Sequence, residues 1–112
     1  MDPEMRETVA ALLDLQDMEI VLQESRIVHQ RAAPESMAAV EAKVRDLRSR
    51  VPESTLKRYD LLRRNGLGVA RELAGVCGAC RLNVPVGDLN RMRAGKVSWV
   101  CPNCGRFLLL SR

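Results

Sequence analysis

Two Cys-x-x-Cys pairs, Cys77-Gly78-Ala79-Cys80 and Cys101-Pro102-Asn103-Cys104, lie twenty residues apart and account for all four cysteines of a 112-residue chain. The spacing C-x2-C-x20-C-x2-C is that of a tetrathiolate metal site. A set that closes on itself supplies four ligands to one tetrahedral ion and leaves no open position for water or substrate. The metal is therefore expected to be structural and the protein not to be an enzyme. The expected cofactor is one structural Zn2+ on Cys77, Cys80, Cys101 and Cys104; a mononuclear iron uses the same paired loops. Disulfide or redox use is the competing reading. Against it, a C-x-x-C loop is a poor staple and no βαβ pattern surrounds either pair. The acidic start, Met1 to Glu7, lacks the basic lead and apolar core of a secretory signal. The expected compartment is the reducing cytoplasm, with no membrane span.

Charge is polarised along the chain. Residues 1–24 hold seven acids against Arg6 alone, residues 25–65 ten bases against five acids, and residues 66–112 seven bases against Glu72 and Asp88. The formal charge of +4 falls to about +2 when four thiolates take one Zn2+. Tyr59, Trp99 and Phe107 are the only aromatics, which argues against a large aromatic core and for solvated helices. A ribbon of ~45 residues then needs the metal in place of burial.

Asp2-Pro3-Glu4 reads as a helix start, with a capping aspartate and proline at the first helical position. A first helix is expected to about Arg31, with Val9, Leu13, Ile20 and Ile27 on one stripe and Leu12, Leu15 and Leu22 widening it. Gln16 and Gln23 interrupt that seam. Ala32-Ala33-Pro34-Glu35 breaks the helix. Met37, Val40, Val44, Leu47 and Val51 then follow at coiled-coil spacing, Pro52 kinks or restarts the helix, and Leu56, Tyr59 and Leu62 carry it toward Asn65-Gly66. Two helices of ~28 residues, an acidic one laid against a basic one, make an antiparallel helical hairpin. Beyond Gly66-Leu67-Gly68, strands are expected at 69–76, 97–100 and 107–110 and a short helix at 87–94 ended by Gly95. Two thiolate loops then face each other across a small antiparallel sheet. Gly105 is expected at positive φ, aiming backbone N–H groups at the sulfurs. The fold class is mainly α with a small β zinc ribbon: a helical hairpin or coiled coil over 1–65, then a four-cysteine zinc ribbon over 66–112.

Pro52-Glu53-Ser54-Thr55-Leu56-Lys57-Arg58-Tyr59, Gly68-Val69-Ala70, Cys77-Gly78-Ala79-Cys80 and Cys101-Pro102-Asn103-Cys104-Gly105-Arg106 resemble the bacterial C4-type zinc ribbon proteins, in which a coiled-coil hairpin carries a C-terminal ribbon. The likeness covers residues 50–110; here the hairpin is shorter than is usual in that family. The resemblance implies zinc ligation by the four cysteines, nucleic-acid binding, and association with the transcription machinery.

Residue by residue, nucleic-acid binding would fall to Arg63, Arg64, Arg81, Arg91, Arg93, Lys96 and Arg106, with Lys57, Arg58 and Arg71 near them. Trp99 could stack on a base or cover the small core. Arg106 could contact a ligand or fix the second thiolate loop to the helical stem. The alternative function is a protein–protein adaptor or scaffold engaging a transcription or secretion component, or a homodimer, through the surplus apolar positions Leu15, Met18, Leu22 and Val28. Those positions would otherwise belong to a broad core shared with the ribbon. Catalysis has little to stand on: His29 is the single histidine, and Asp14 and Asp17 read as solvated carboxylates.

Overall fold

A computed structural model describes residues 3–28 and 34–111. They form helices α1 (Pro3–Val28), α2 (Pro34–Ser49), α3 (Glu53–Arg63) and α4 (Val86–Arg93), and strands β1 (Val69–Leu73), β2 (Val76–Cys77) and β3 (Phe107–Leu109). The chain is thus mainly α, with a small three-stranded sheet and a cluster of four cysteines. Among the described residues no helix is long and apolar enough to cross a membrane. The Asp2 cap, the Arg31 end of the first helix, the break at Ala32-Ala33 and His29 lie outside the described residues.

The expected second helix of ~28 residues is two helices. Proline lacks the N–H that would continue the ladder and disfavours helical backbone in the residue before it. α2 therefore stops at Ser49, Val51 turns inward, and α3 restarts behind Pro52, whose carbonyl accepts from Leu56 N–H at 3.0 Å. Arg48 spans the break with a two-pronged contact to Asp60 (3.2 and 2.6 Å) and also reaches Glu19 of α1 at 3.3 Å. The Tyr59 hydroxyl donates to the other Glu19 oxygen at 2.5 Å. Burial and the Glu19 carboxylate hold that phenol well above the usual tyrosine range, so it stays protonated.

The sheet order is β2-β1-β3. β1 and β2 pair antiparallel (Glu72 with Cys77, Leu73 with Val76) around a tight two-residue turn, Ala74 and Gly75 both at positive φ. β1 and β3 pair parallel, Val69 with Phe107 through Arg71 with Leu109. The expectation of an all-antiparallel sheet is therefore corrected. Between β1 and β3 the chain passes through α4, and such a crossover returns a strand in the same direction. The strand expected at 97–100 is also corrected: only Val100 bridges to Phe107. Trp99 there turns its indole inward and donates to the Met92 carbonyl at the end of α4 (2.8 Å). α4 ends as the sequence indicates, with Gly95 at φ 73 and the Lys96 and Gly95 amides closing onto Arg91 and Met92 carbonyls.

One apolar cluster runs through all these elements, joining Val9, Leu12 and Leu15 of α1 to Leu47, Tyr59, Val69, Leu89, Trp99 and Leu108. α1 is buried on two sides, against α2 and against the sheet. Leu15, fully buried, and Met18, packed against the cluster, are absorbed there rather than left as a spare surface. Each fully buried aliphatic side chain stabilises by about 1.5–3 kcal/mol.

Gln16, which interrupts the first stripe, makes the joint. It is 3% exposed, its Oε1 accepts from the Gly68 and Val69 amides (2.7 and 3.0 Å), and its Nε2 donates to the Val69 carbonyl (3.1 Å). The helix thereby satisfies the entry of the sheet as a neighbouring strand would. Gly68 admits no side chain, since a Cβ there would lie 2.8 Å from the Tyr59 ring. Removing a partner from buried backbone groups costs about 1–3 kcal/mol. Gln16→Leu should therefore destabilise the zinc-loaded protein by at least about 2 kcal/mol in urea unfolding while metal stoichiometry is retained. An unchanged midpoint would show that the joint contributes nothing.

Candidate metal centre and basic surface

Both thiolate loops are built on the same plan. In the first, the Cys77 amide donates to Leu82 O (3.1 Å) and the Arg81 amide to Cys77 O (2.9 Å); in the second, Cys101 donates to Arg106 O (2.8 Å) and Gly105 to Cys101 O (2.9 Å). The residue after each second cysteine is left-handed, Arg81 at φ 66 and Gly105 at φ 77. Gly105 takes this conformation freely, as expected, whereas in Arg81 it costs about 1–2 kcal/mol. The two loops bring Cys77 Sγ to 3.8 Å from Cys104 Sγ and Cys80 Sγ to 3.8 Å from Cys101 Sγ, with all four sulfurs within 4.8 Å.

Those separations suit a metal. Four sulfurs at ~2.3 Å from a tetrahedral Zn2+ stand about 3.8 Å apart. No disulfide links them. Cys77 and Cys101 are buried and Cys80 and Cys104 half-buried, so the site is closed on its inner side by the core. The donor set fits one structural zinc ion.

The thiols differ before metal arrives. Burial raises Cys77 and pushes Cys101 up to about 12. Burial also opposes ionisation of Cys104, yet the Arg106 amide and guanidinium, with the neighbouring thiols, bring it down to about 7. Metal binding must displace the protons that remain.

The positions of the sequence-selected cations divide into two groups. Arg63 donates to Gly66 O (2.8 Å) and lies 3.9 Å from Glu19. Arg91 pairs with Asp88, and Arg93 with buried Glu72 at 3.6 Å. Arg106 donates to the Leu67 carbonyl (2.7 Å), and beside it Arg58 donates to Gly105 O (3.0 Å). Arg58 thus ties the second thiolate loop to α3, and Arg106 ties it to the connector between α3 and β1. Arg64, Arg81 and Lys96 are exposed and have no such partner among the described residues, and the same holds for Lys57 and Arg71. Trp99 is 5% exposed, with the Arg6 guanidinium 4.8 Å from its ring centre and Arg6 Nη1 on the Leu110 carbonyl at 2.8 Å.

Glu72 and Gln16 are residues to which the sequence assigned no structural role. Glu72 is 2% exposed and accepts from the Gly75 amide and from the Ser111 amide and hydroxyl. Burial works against its charge, but those donors and Arg93 hold its carboxyl below the ordinary range. It buckles the β1–β2 turn to the segment after β3. Its only sequence signal is that it falls on the inward-facing alternation of the strand, with exposed Arg71 and Leu73 on either side.

The family model for the C4-type zinc ribbon domain matches residues 76–108, which contain all four cysteines. No curated protein and no solved structure matches the chain.

One zinc per chain is expected by elemental analysis, and Cys101→Ser should abolish tight binding. Because α1 rests on the sheet, the same variant should also red-shift Trp99 emission and lower helical ellipticity; retention of both signals would separate the helices from the metal. Acidification returns protons to the thiols and should release zinc. Competition with a chromophoric chelator should give at least roughly tenfold weaker affinity at pH 6 than at pH 8.

Proposed function

We propose that the chain is a non-enzymatic binding protein whose zinc ribbon presents a basic surface to nucleic acid. In this reading α1 and α2 form an antiparallel hairpin that acts as a stem, and the protein works in the cytoplasm in association with transcription. One observation carries the proposal. Of the two acids in residues 66–112, Asp88 is taken by Arg91 and Glu72 by Arg93, whereas Arg71, Arg81 and Lys96 are exposed and unpaired among the described residues. Unneutralised cations on a folded module attract phosphates, and their attraction falls with salt through counterion release.

A protein adaptor is the second reading. Of the surplus positions on α1, Leu15 is fully buried and Met18 packs against the core, while Leu22 is half-buried and the Val28 side chain lies outside the described residues. The adaptor's support lies instead on the ribbon, where Leu73 and Leu82 are 64% and 55% exposed on either side of β2. The two readings part on salt and on charge.

Zinc-loaded protein should bind labelled nucleic acid with an affinity that falls steeply between about 50 and 200 mM salt. Arg81→Gly removes a cation while suiting the left-handed backbone, and combined with Lys96→Ala it should weaken binding at least roughly fivefold and flatten the salt dependence. Absence of binding at low salt, with Leu73→Ser or Leu82→Ser abolishing capture of a protein partner, would replace this reading by the adaptor.

A further inference from the structure

α3 has one face fixed and one face free. Its inner side holds Tyr59, fully buried, with Leu56 and Leu62 against the core and Asp60 bonded to Arg48. Its outer side carries Ser54, Lys57, Leu61 and Arg64, all exposed, at helical spacings of 3, 4 and 3. Lys57 and Arg64 are seven residues apart, which places them on one side of the helix about 10 Å from each other along its axis. Neither has a partner among the described residues.

We infer that this outer stripe of α3 is the surface that seats on the ligand, and that the ligand is duplex nucleic acid gripped by its phosphates without base stacking. The inference rests on the nucleic-acid reading above and adds the element and the ligand class to it. Three observations converge. First, all the aromatics are withdrawn: Tyr59 is 0% exposed and Trp99 and Phe107 5%. Single-strand binders rely on stacking worth about 1–3 kcal/mol per base, and no such platform is available. A duplex hides its bases and offers a charge every ~1.7 Å along its axis, which needs cations and no rings. Second, the cations are held at fixed spacing. α3 is about 16 Å long and is anchored from behind through Tyr59 and Asp60. Third, the field is directional. The outer stripe of α3 holds no acid, whereas the exposed face of α1 carries Glu7, Asp14, Asp17 and Glu24, so phosphate is drawn to the first and repelled by the second.

The test uses full-length zinc-loaded protein with a labelled 20-base-pair duplex and a labelled 20-nucleotide oligothymidine, read by anisotropy at two salt concentrations. The pair Lys57→Ala with Arg64→Ala is compared with Lys43→Ala with Arg45→Ala, which removes the same charge from exposed positions of α2. Zinc content and Trp99 emission confirm that each variant is folded. The duplex should bind at least about tenfold tighter than oligothymidine, since stacking contributes nothing. The α3 pair should lose about tenfold or more in duplex affinity and about 1.8 in the log–log salt slope, the value for two phosphate contacts, while the α2 pair loses little. Oligothymidine binding as tight as duplex, or equal losses from the two pairs, would overturn the inference and leave the nucleic-acid reading standing. No binding of wild-type protein to either probe at low salt would overturn both.

Discussion

Four sulfur ligands gathered within 4.8 Å repel one another as soon as they ionise, by about 4 kcal/mol for each pair of unit charges at 4 Å and an effective dielectric near 20. A divalent cation reverses the sign of that interaction. The ribbon has a five-, a two- and a three-residue strand and one two-turn helix, too little to stand on burial alone. Its loops, sheet and crossover therefore depend on the ion, and the helices that rest on the sheet depend on it at one remove.

The connection from ribbon to helices is polar as well as apolar. Gln16 completes the backbone of Gly68 and Val69, Arg58 holds the second loop to α3 while Arg106 holds it to Leu67, and Arg6 reaches the Leu110 carbonyl. Glu19 gathers Tyr59, Arg48 and Arg63 where three helices meet. Exposed ion pairs contribute little, but the Gln16 bonds are buried and the Arg6 and Glu19 contacts half-buried and directional, so they select one relative placement of helices and ribbon where apolar contact alone tolerates several.

The metal site was legible because ligand chemistry demands a local spacing, and the same holds for the turn residues Gly105 and Gly95 and for the proline that splits α2 from α3. What the sequence concealed is long-range. Gln16 looks like a flaw in a two-helix seam, because periodicity within one helix does not reveal a second surface it must serve. The parallel pairing of β1 with β3 depends on where α4 lets the chain return, which no alternation within either strand encodes. Trp99 was ambiguous for a similar reason: its neighbours suggest a strand, and only the end of α4 supplies the carbonyl that turns it inward.

The joint between α1 and the sheet brings together residues far apart in the chain: Gln16 and Val69 are 53 positions apart, Arg6 and Leu110 104. Contacts of such separation form late, because a long loop must be closed before they can offset its entropy. The side of α1 that meets α2 can pack early, but the side that meets the sheet is not fully covered until the last strand has come back past the second pair of cysteines. Metal uptake is thereby coupled to the ordering of α1 and not of the ribbon alone, because the sheet surface that α1 covers is complete only once the second pair of cysteines has closed.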